Sequence, residues 1–333
     1  MANLYIAYDD VYLDWNLGSF GYTHPTNPIR ALHATRLLAE ALPNNVTVIK
    51  PKATEGDRDR LHLVHASSYI SDVLDLGISN EWHPANTELG STALEMFAGT
   101  VRCAEKILSG EAQVAFNPQG AKHHAAYDSS SGFCVFNDMA WAALHFNAKG
   151  AKVMYIDWDA HHGDGVENLL KDHYDIVTCS IHDGTIFPGT GRDGHFPDQG
   201  IYNWALPAKS GSVQFADAID EIRKLADEVK PDIVLLATGA DAHTTDPLST
   251  LNFTLNGYSY AASIVAQIAN KYCEGRVLIG GAGGYQPFTH TPKIWSTVVE
   301  RIYRNVEFDE EISVARLDTR QGKTKQLRDL ELN

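Results

Sequence analysis

The sequence predicts a doubly wound α/β domain in which helices cover both faces of a mostly parallel sheet. Two observations predict this fold: apolar, β-branched segments typical of buried parallel strands, and amphipathic helical segments between them. Because strands and helices alternate, we expect right-handed crossovers that leave consecutive strands parallel. The predicted strands begin at Leu4, Gln113, Lys152, Asp175, Asp232 and Arg276.

The predicted helices carry apolar residues at the three-and-four spacing that gives a helix one buried face. They cover residues 28–42, 93–110, 137–150, 215–229 and 257–272. No internal repeat, low-complexity segment or Pro/Ser-rich linker divides the chain of 333 residues, of which 44% are hydrophobic. We therefore expect one domain over residues 1–307 and a peripheral tail at 308–333, where the sequence becomes acidic and then mixed in charge.

Charge and cysteine usage limit the partners and the compartment. With 27 Lys and Arg against 42 Asp and Glu, the net charge of −15 repels nucleic-acid phosphates and anionic membranes. The four cysteines form no CxxC pair, and the first residues show neither a basic leader nor a long apolar run. We expect a cytoplasmic protein with reduced thiols, and neither nucleic acid nor a membrane as partner.

Residues of the metal-ligating type follow two of the predicted strands. Asp159 and His161 are two residues apart, so in an extended segment both side chains point to one side, and Asp241 follows another strand. Three protein ligands leave one position open for water, as in catalytic zinc sites. Fe²⁺, Co²⁺ and Mn²⁺ also suit this mixed oxygen and nitrogen set. The alternative is that these residues only cap the helices that follow.

A histidine pair, His123 and His124, follows the strand that begins at Gln113. One imidazole can act as general base and the other as general acid or electrostatic aid, because neighbouring groups can split their pKa values. Asp157 and Asp164 are available to orient them through their far nitrogens. Taken alone, two adjacent histidines in a loop are more often surface residues.

A glycine-rich run, 280–285, follows the last predicted strand and ends in Tyr285. It has neither the Lys-Ser/Thr of a phosphate loop nor the spacing of a dinucleotide fingerprint. Glycines let the backbone approach a ligand closely, and the Tyr285 hydroxyl can donate to an oxyanion beside a metal. A buried tyrosine that packs against a turn explains the segment equally well.

Together these segments resemble the histone deacetylase superfamily, in particular its bacterial acetoin-utilization-type deacetylases and acetylpolyamine amidohydrolases. The resemblance spans nearly the whole chain, and its motifs are highly specific in combination. They are HPTNPIR from His24, GAKHH from Gly120, SGFCVFND from Ser131, DWDAHHGDGVE from Asp157, FPGTG from Phe187 and Asp246-Pro-Leu.

The resemblance implies an arginase/deacetylase-like fold and a zinc-dependent amidohydrolase, with zinc on Asp159, His161 and Asp241. It implies that His123 and His124 are the catalytic pair, with Asp157 and Asp164 as partners, and that Tyr285 polarises the amide carbonyl. The expected substrate is an acetylated lysine side chain or a small acetylated amine, and a homo-oligomer is compatible with the sequence.

The resemblance further implies a narrow tunnel and a structural potassium ion. Phe133 and Phe187 flank the tunnel beside Gly132, and Arg30 lines an inner cavity near the leaving acetate. The implied potassium ligands are Asp157, Ser180 and the backbones of Asp159, His161 and Ile181.

Two departures from the family pattern concern the substrate. The eukaryotic members carry a rim aspartate that grips a peptide backbone, whereas residues 81–88 here read EWHPANTE. Ala282 also replaces one glycine of the run that leads to Tyr285.

Two other functions compete with the deacylase. A two-metal ureohydrolase would need carboxylates near positions 163 and 243, where the chain has Gly163 and His243. A catalytically dead binding scaffold would typically have lost a metal ligand, the histidine pair or the tyrosine, and this chain retains all of them.

Overall fold

The structure, a computed structural model, describes residues 3–18, 24–192 and 194–305. The tail predicted at 308–333 lies outside these residues. The described residues form an eight-stranded sheet in the order β2-β1-β3-β8-β7-β4-β5-β6, and each neighbouring pair is parallel. The strands are β1 Leu4–Ala7, β2 Val46–Ile49, β3 Val114–Asn117, β4 Val153–Asp157, β5 Ile176–Asp183, β6 Ile201–Leu206, β7 Ile233–Thr238 and β8 Val277–Gly281.

Helices cover the sheet in two layers. The helices form two groups. Helices α2 to α6 pack on one another and on strands that include β1, β3 and β4. Helices α1, α7, α8 and α9 pack on one another and on strands that include β3, β5 and β7. The predicted doubly wound parallel sheet is thus confirmed. The helices are α1 Ile29–Ala41, α2 Glu55–Leu61, α3 Ser67–Leu74, α4 Thr87–Leu108, α5 Asp138–Asn147, α6 Asp164–Leu170, α7 Ser212–Val229, α8 Leu255–Tyr272 and α9 His290–Arg304.

The six predicted strands are all present, and the two strands that were not predicted, β2 and β6, are the edges of the sheet. An edge strand is covered on fewer sides, so its sequence need not be a continuous apolar run. In β2 every residue is partly or fully exposed. In β6 buried residues are interrupted by half-buried ones, and one of the buried residues, Asn203, is polar. This explains why the pattern of buried strands did not reveal them.

The five predicted helices are also present, and four more were missed: α2, α3, α6 and α9. Three of these have eight residues or fewer, too short for a helical period to stand out. The fourth, α9, contains Pro292 near its start, which reads as a helix breaker although the first turn tolerates proline. No helix in the described ranges combines the length and apolar character needed to cross a membrane.

The central strands are buried along their whole length, as expected for a sheet covered on both faces. Since all strands run in one direction, the loops after them gather at one edge of the sheet. The loops after β3, β4, β7 and β8 carry the histidine pair, the Asp159–His161 segment, Asp241 and Tyr285 respectively. The fold therefore brings together side chains that lie far apart in the sequence.

Candidate metal centre and active site

Asp159, His161 and Asp241 converge at the carboxyl edge of β4 and β7. One ligand atom from each residue lies within 4.8 Å of the others, and among the described residues this is the one such group of three. His161 Nδ1 lies 3.1 Å from Asp159 Oδ1 and 3.0 Å from Asp241 Oδ2. The geometry thus places the three predicted ligands around one point.

The donor set fits a divalent cation. Asp159 and Asp241 are 1% and 0% exposed, and two buried carboxylates that face each other are unfavourable without a positive charge between them. Burial and the neighbouring Asp159 carboxylate raise the pKa of Asp241 to about 7, which is the expected effect of this repulsion. One imidazole nitrogen and two carboxylates match the ligands that zinc takes in catalytic sites.

Backbone amides hold the two carboxylates in place. The amide of Ala160 donates to Asp241 Oδ1 over 2.9 Å, and the amide of Gly283 donates to Asp159 Oδ2. Gly283 must be glycine for this approach, because an added Cβ would lie 2.1 Å from Asp241 Oδ2. The glycine-rich run therefore packs its backbone against the ligand pair, as its composition predicted.

The histidine pair lies beside this centre, and each imidazole has its own carboxylate. His123 Nδ1 is 2.8 Å from Asp157 Oδ2, and His124 Nδ1 is 2.7 Å from Asp164 Oδ1. The two rings are 4.0 Å apart between centroids. These contacts use Nδ1 of each ring and leave the two Nε2 atoms for other contacts. His123 Nε2 is 3.9 Å from Asp159 Oδ1.

The two histidines differ in their protonation. Burial disfavours the charged form of His123, but the carboxylates of Asp157 and Asp159 outweigh it and raise the pKa to about 9. Burial and the positive charge of His123 lower the pKa of His124 to about 4. One imidazole is therefore charged and the other neutral near pH 7, which is the split that acid and base roles require.

The loop that carries the histidines is fixed by the start of α5. Asp138 accepts hydrogen bonds from the amides of Ala121 (2.9 Å) and Lys122 (2.8 Å), and Asn137 Nδ2 donates to the carbonyl of Ala125 over 2.9 Å. Asn137 also caps α5 through the amide of Ala140. The Asn-Asp pair at the end of the SGFCVFND motif is thus a clamp on the histidine loop.

Tyr285 follows the glycine-rich run and lines the same pocket as His124 and His161. Its amide donates to Asp246 Oδ2 over 2.7 Å, and burial together with the charge of Asp241 raises the pKa of its phenol well above the ordinary value. The Arg30 guanidinium donates to the carbonyl of Gly284 over 2.7 Å and lies 5.9 Å from the centroid of the Tyr285 ring. The Tyr285 hydroxyl is therefore neutral and can donate a hydrogen bond, and Asp246 and Arg30 hold the loop that carries it.

An apolar pocket, here called the tunnel, reaches His124, His161 and Tyr285. It encloses about 400 Å³, the size range of small-ligand sites. Phe187 lies 5.1 Å from the His124 ring and is half exposed, while the Phe133 ring lies 6.2 Å from that of Tyr285. The lining residues are His124, Gly132, Phe133, His161, Ile186, Phe187, Leu248 and Tyr285.

The tunnel wall at Gly132 and Phe133 has a left-handed backbone. Both residues have positive φ, +55° and +66°, which is costly for phenylalanine. The carboxylate of Glu81 accepts the amide of Phe133 over 2.9 Å, and burial raises the pKa of this acid. Glu81 thus supports the wall, although the stretch 81–88 offered no match to a rim residue.

The residues implied for potassium lie at the ends of β4 and β5, next to the segment that carries Asp159 and His161. Asp157 and Ser180 are register partners on β4 and β5, and Ile181 follows on β5. Asp157 Oδ1 accepts the amide of Asp159 over 2.9 Å, and Ser180 Oγ is 3.0 Å from His182 Nδ1. The potassium site stays a prediction.

The positions at which a second metal would need carboxylates are unsuited to one. A Cβ at Gly163 would lie 2.5 Å from Asp157 Oδ2, so no side chain fits there. His243 is 7% exposed and directs Nδ1 to the hydroxyl of Thr245 over 2.9 Å. The described geometry therefore disfavours the two-metal alternative.

Sequence reasoning missed four residues that shape the site: Glu81, Ile186, Asp246 as a support of Tyr285, and Leu248. Ile186 directly precedes the FPGTG segment, and Leu248 is the last residue of the Asp246-Pro-Leu motif, to which no role was assigned. Proximity to these motifs is a signal that could have located both. Nothing local marks Glu81, because its partner Phe133 lies 52 positions away.

The sequence is similar to known proteins over most of its length. The histone deacetylase domain model matches residues 24–302. The acetoin utilization protein AcuC of Bacillus subtilis (strain 168) is 33% identical over 305 residues, which cover 84% of this chain and 77% of that protein. AcuC of Staphylococcus xylosus is 30% identical over 305 residues, covering 84% and 78%.

A solved structure is also similar in fold. The crystal structure of the HDA15 HD domain superposes with a TM-score of 0.77 at 24% identity, covering 94% of this chain and 92% of that one. The matched range, residues 24–302, spans the histidine loop, the three candidate ligands and Tyr285. The chain belongs to the histone deacetylase family, a family of deacetylases.

Proposed function

We propose that the chain is a zinc-dependent deacylase that hydrolyses the amide of an acetylated or short-acylated amine, such as acetyl-lysine or an acetylpolyamine. Family membership supports the reaction class. The observation that carries the proposal is the convergence of three ligands, a split histidine pair and a tyrosine at the floor of one apolar tunnel.

Asp159, His161 and Asp241 would hold the metal, and Fe²⁺ or Co²⁺ would suit the same donors. When bound, the ion supplies Lewis-acid chemistry: it polarises a carbonyl and lowers the pKa of a water molecule. Three protein ligands would leave a position open for water or substrate.

His124 is the residue that moves the proton. It lines the tunnel, it is neutral near pH 7, and Asp164 holds its Nδ1 so that Nε2 is free to accept. It takes the proton of the attacking water and returns it to the departing amine nitrogen. His123 remains protonated against Asp157 and stabilises negative charge nearby.

Tyr285 donates its hydroxyl hydrogen bond to the oxygen that becomes negative as water attacks. Asp246 and Arg30 fix the peptide unit that precedes Tyr285, Asp246 through its N–H and Arg30 through its C=O. Donors that are held in place before the reaction need no reorganisation, and each one typically contributes about 10²–10³-fold to kcat.

Phe133 and Phe187 would flank an extended alkyl chain, since apolar walls suit methylene groups. The net charge of −15 favours a cationic amine or a lysine-rich carrier, although it also serves solubility. The structural potassium ion on Asp157, Ser180 and neighbouring backbones belongs to the same proposal.

We place the enzyme in the cytoplasm, because all four cysteines are buried and free, as in a reducing compartment. The domain is proposed to extend over residues 1–307, and a homo-oligomer is compatible with it.

The test is a panel of one acetyl-lysine peptide, acetylputrescine and a longer-acyl peptide, with bound zinc measured in each preparation. Tyr285→Phe and His124→Ala should lower kcat by about 10²-fold or more at unchanged zinc content. Tyr174→Phe is the matched control, since Tyr174 is 87% exposed, and should behave as the wild type.

The outcomes separate the functions considered. One zinc per chain with turnover of an acylated amine supports the proposal, and the ranking of substrates identifies the amine. Two metals per chain would indicate a ureohydrolase instead. Full metal loading without turnover of any acylated amine would refute the enzyme and leave a binding scaffold.

A further inference from the structure

Asp183, the last residue of β5, links two separate loops and has no part in the mechanism above. Its Oδ1 accepts hydrogen bonds from the amide (2.9 Å) and the hydroxyl (2.6 Å) of Thr185. Its Oδ2 accepts from the amide (3.1 Å) and the hydroxyl (2.5 Å) of Thr250. These four hydrogen bonds use all the acceptor sites of one carboxylate.

The contacts of Asp183 go beyond those of a local turn. An aspartate that stabilises a turn needs only one oxygen, which binds the backbone two residues on, and Thr185 meets that need. The second oxygen binds Thr250, which is 67 positions away. The carboxylate therefore connects the loop after β5 to the loop after β7.

The Asp183 side chain is charged although it is buried. The residue is 2% exposed. Burial disfavours the charged form, but the hydrogen bonds from Thr185 and Thr250 outweigh it and lower the pKa of Asp183. A buried charge is stable only where hydrogen-bond donors surround it. The two loops supply those donors, so they are held together around one anion.

Both loops carry residues that line the tunnel. Ile186 and Phe187 directly follow the first threonine, and Leu248 lies two positions before the second. The segments 185–187 and 248–250, here called the two wall segments, are thus held by the two oxygens of one side chain. The distance between them depends on that side chain.

The base of this link is fixed relative to the metal centre. The amide of Asp183 donates to the carbonyl of Ala160 over 2.8 Å, and Ala160 lies between two of the candidate metal ligands. Asp246 accepts the amide of Leu248 over 3.0 Å. The segment 248–250 is therefore held at both of its ends, and a shift would leave polar groups without their partners.

We propose that Asp183 is a positioning residue that fixes the distance between the two wall segments and so limits the tunnel to slim, unbranched alkyl amines. This inference rests on the proposed deacylase function and adds the width of the amine to it. A chain of methylene groups, as in lysine, passes between the wall segments. A ring in the same place requires them to separate.

The test compares two substrates of similar length and different width. One is a peptide with acetyl-lysine, and the other is the same peptide with acetylated 4-(aminomethyl)phenylalanine at that position. Asp183→Asn keeps the shape, but its amide nitrogen cannot accept, so one backbone N–H loses its partner. Thr250→Val removes one hydroxyl and covers the case in which D183N fails to fold. Thermal unfolding and zinc content are measured for each variant.

Asp227→Asn is the matched control. Asp227 also links two elements, because it lies on α7 and accepts hydrogen bonds from Lys271 and Tyr272 at the end of α8. None of these three residues lines the tunnel. This variant therefore loses a comparable link without a change in the tunnel.

We expect the ratio of kcat/KM for the lysine peptide to that for the phenylalanine peptide to fall about tenfold in D183N. The ratio should fall less in T250V and stay unchanged in D227N. A purely structural defect lowers the amount of active enzyme for both substrates alike and leaves the ratio unchanged. In D183N the KM for the lysine peptide should rise more than kcat falls, since the residues around the metal keep their own partners.

A second measurement does not depend on turnover. Hydrogen exchange reports local opening of the backbone, so D183N should exchange faster than the wild type in at least one wall segment, and D227N should not. An unchanged substrate ratio in folded D183N and T250V, or unchanged exchange in both wall segments, would overturn the role of Asp183. Faster exchange without turnover of any acylated amine, by the wild type included, would leave the link standing and overturn the deacylase function.

Discussion

Replacing Gly132 with alanine should inactivate the site by displacing His124. An added Cβ would lie 2.4 Å from His124 Cδ2 and 2.9 Å from Cγ, whereas non-bonded carbons sit about 3.5–4.0 Å apart. The ring or the loop must therefore move by about 1 Å. Misplacing a catalytic group by about 1 Å costs on the order of 10²-fold in rate, and the positive φ adds a loss of about 1–2 kcal/mol in stability.

Gly150→Ala separates the clash from the backbone strain. Gly150 has a φ of +88°, yet an added Cβ there meets nothing within 4 Å. In thermal unfolding both variants should lose the stability that the backbone strain costs, and G132A should lose more because of the clash. Only G132A should lose kcat/KM toward an acetyl-lysine peptide, with zinc content unchanged. Equal kcat/KM in G132A and G150A would show that His124 does not depend on the glycine.

Three further predictions follow from other contacts. Asp159→Asn should weaken zinc binding by about 100-fold or more, measured by competition with a chelator; wild-type affinity would remove this residue from the ligand set. Glu81→Leu leaves the amide of Phe133 without its acceptor. The free energy of unfolding in urea should fall by about 1–3 kcal/mol. Glu81→Gln can still accept this hydrogen bond and should retain most of that free energy. Burial lowers the pKa of His65 to about 4 in the folded protein. Between pH 6.5 and 4 the unfolded chain therefore binds a proton at His65 that the folded protein does not bind. Stability should therefore fall by about 1.4 kcal/mol per pH unit from this residue as the pH drops from 6.5 toward 4, and the pH profile of His65→Gln should be flatter by that amount.

The central strands and the positions of the main candidate site residues could be predicted because their signals are local. A buried parallel strand is a continuous apolar run, and Asp159 and His161 follow such a run directly. Knowing that all strands point one way is then enough to place Asp241 and Tyr285 at the same edge.

What could not be predicted depends on contacts between distant segments. Glu81 reaches Phe133 because a loop after α3 meets a loop after β3, and neither sequence encodes the other. The assignment of Asp157 to His123 and of Asp164 to His124 likewise required the fold, since either carboxylate was available to either ring. The edge strand β2 was missed because it is too exposed to show an apolar run.

The carboxylate of Asp157 contacts both the histidine pair and the segment that carries Asp159. Single substitutions therefore cannot separate the contributions of His123 and Asp159 to activity. Its Oδ2 accepts from His123 and from the Tyr155 hydroxyl (2.6 Å), while its Oδ1 accepts the amide of Asp159. A change at His123 alters the carboxylate that orients a metal ligand, and a change at Asp159 alters the partner of the imidazole. Double-mutant cycles between His123 and Asp159 should therefore be strongly non-additive, and the coupling should disappear in an Asp157→Asn background.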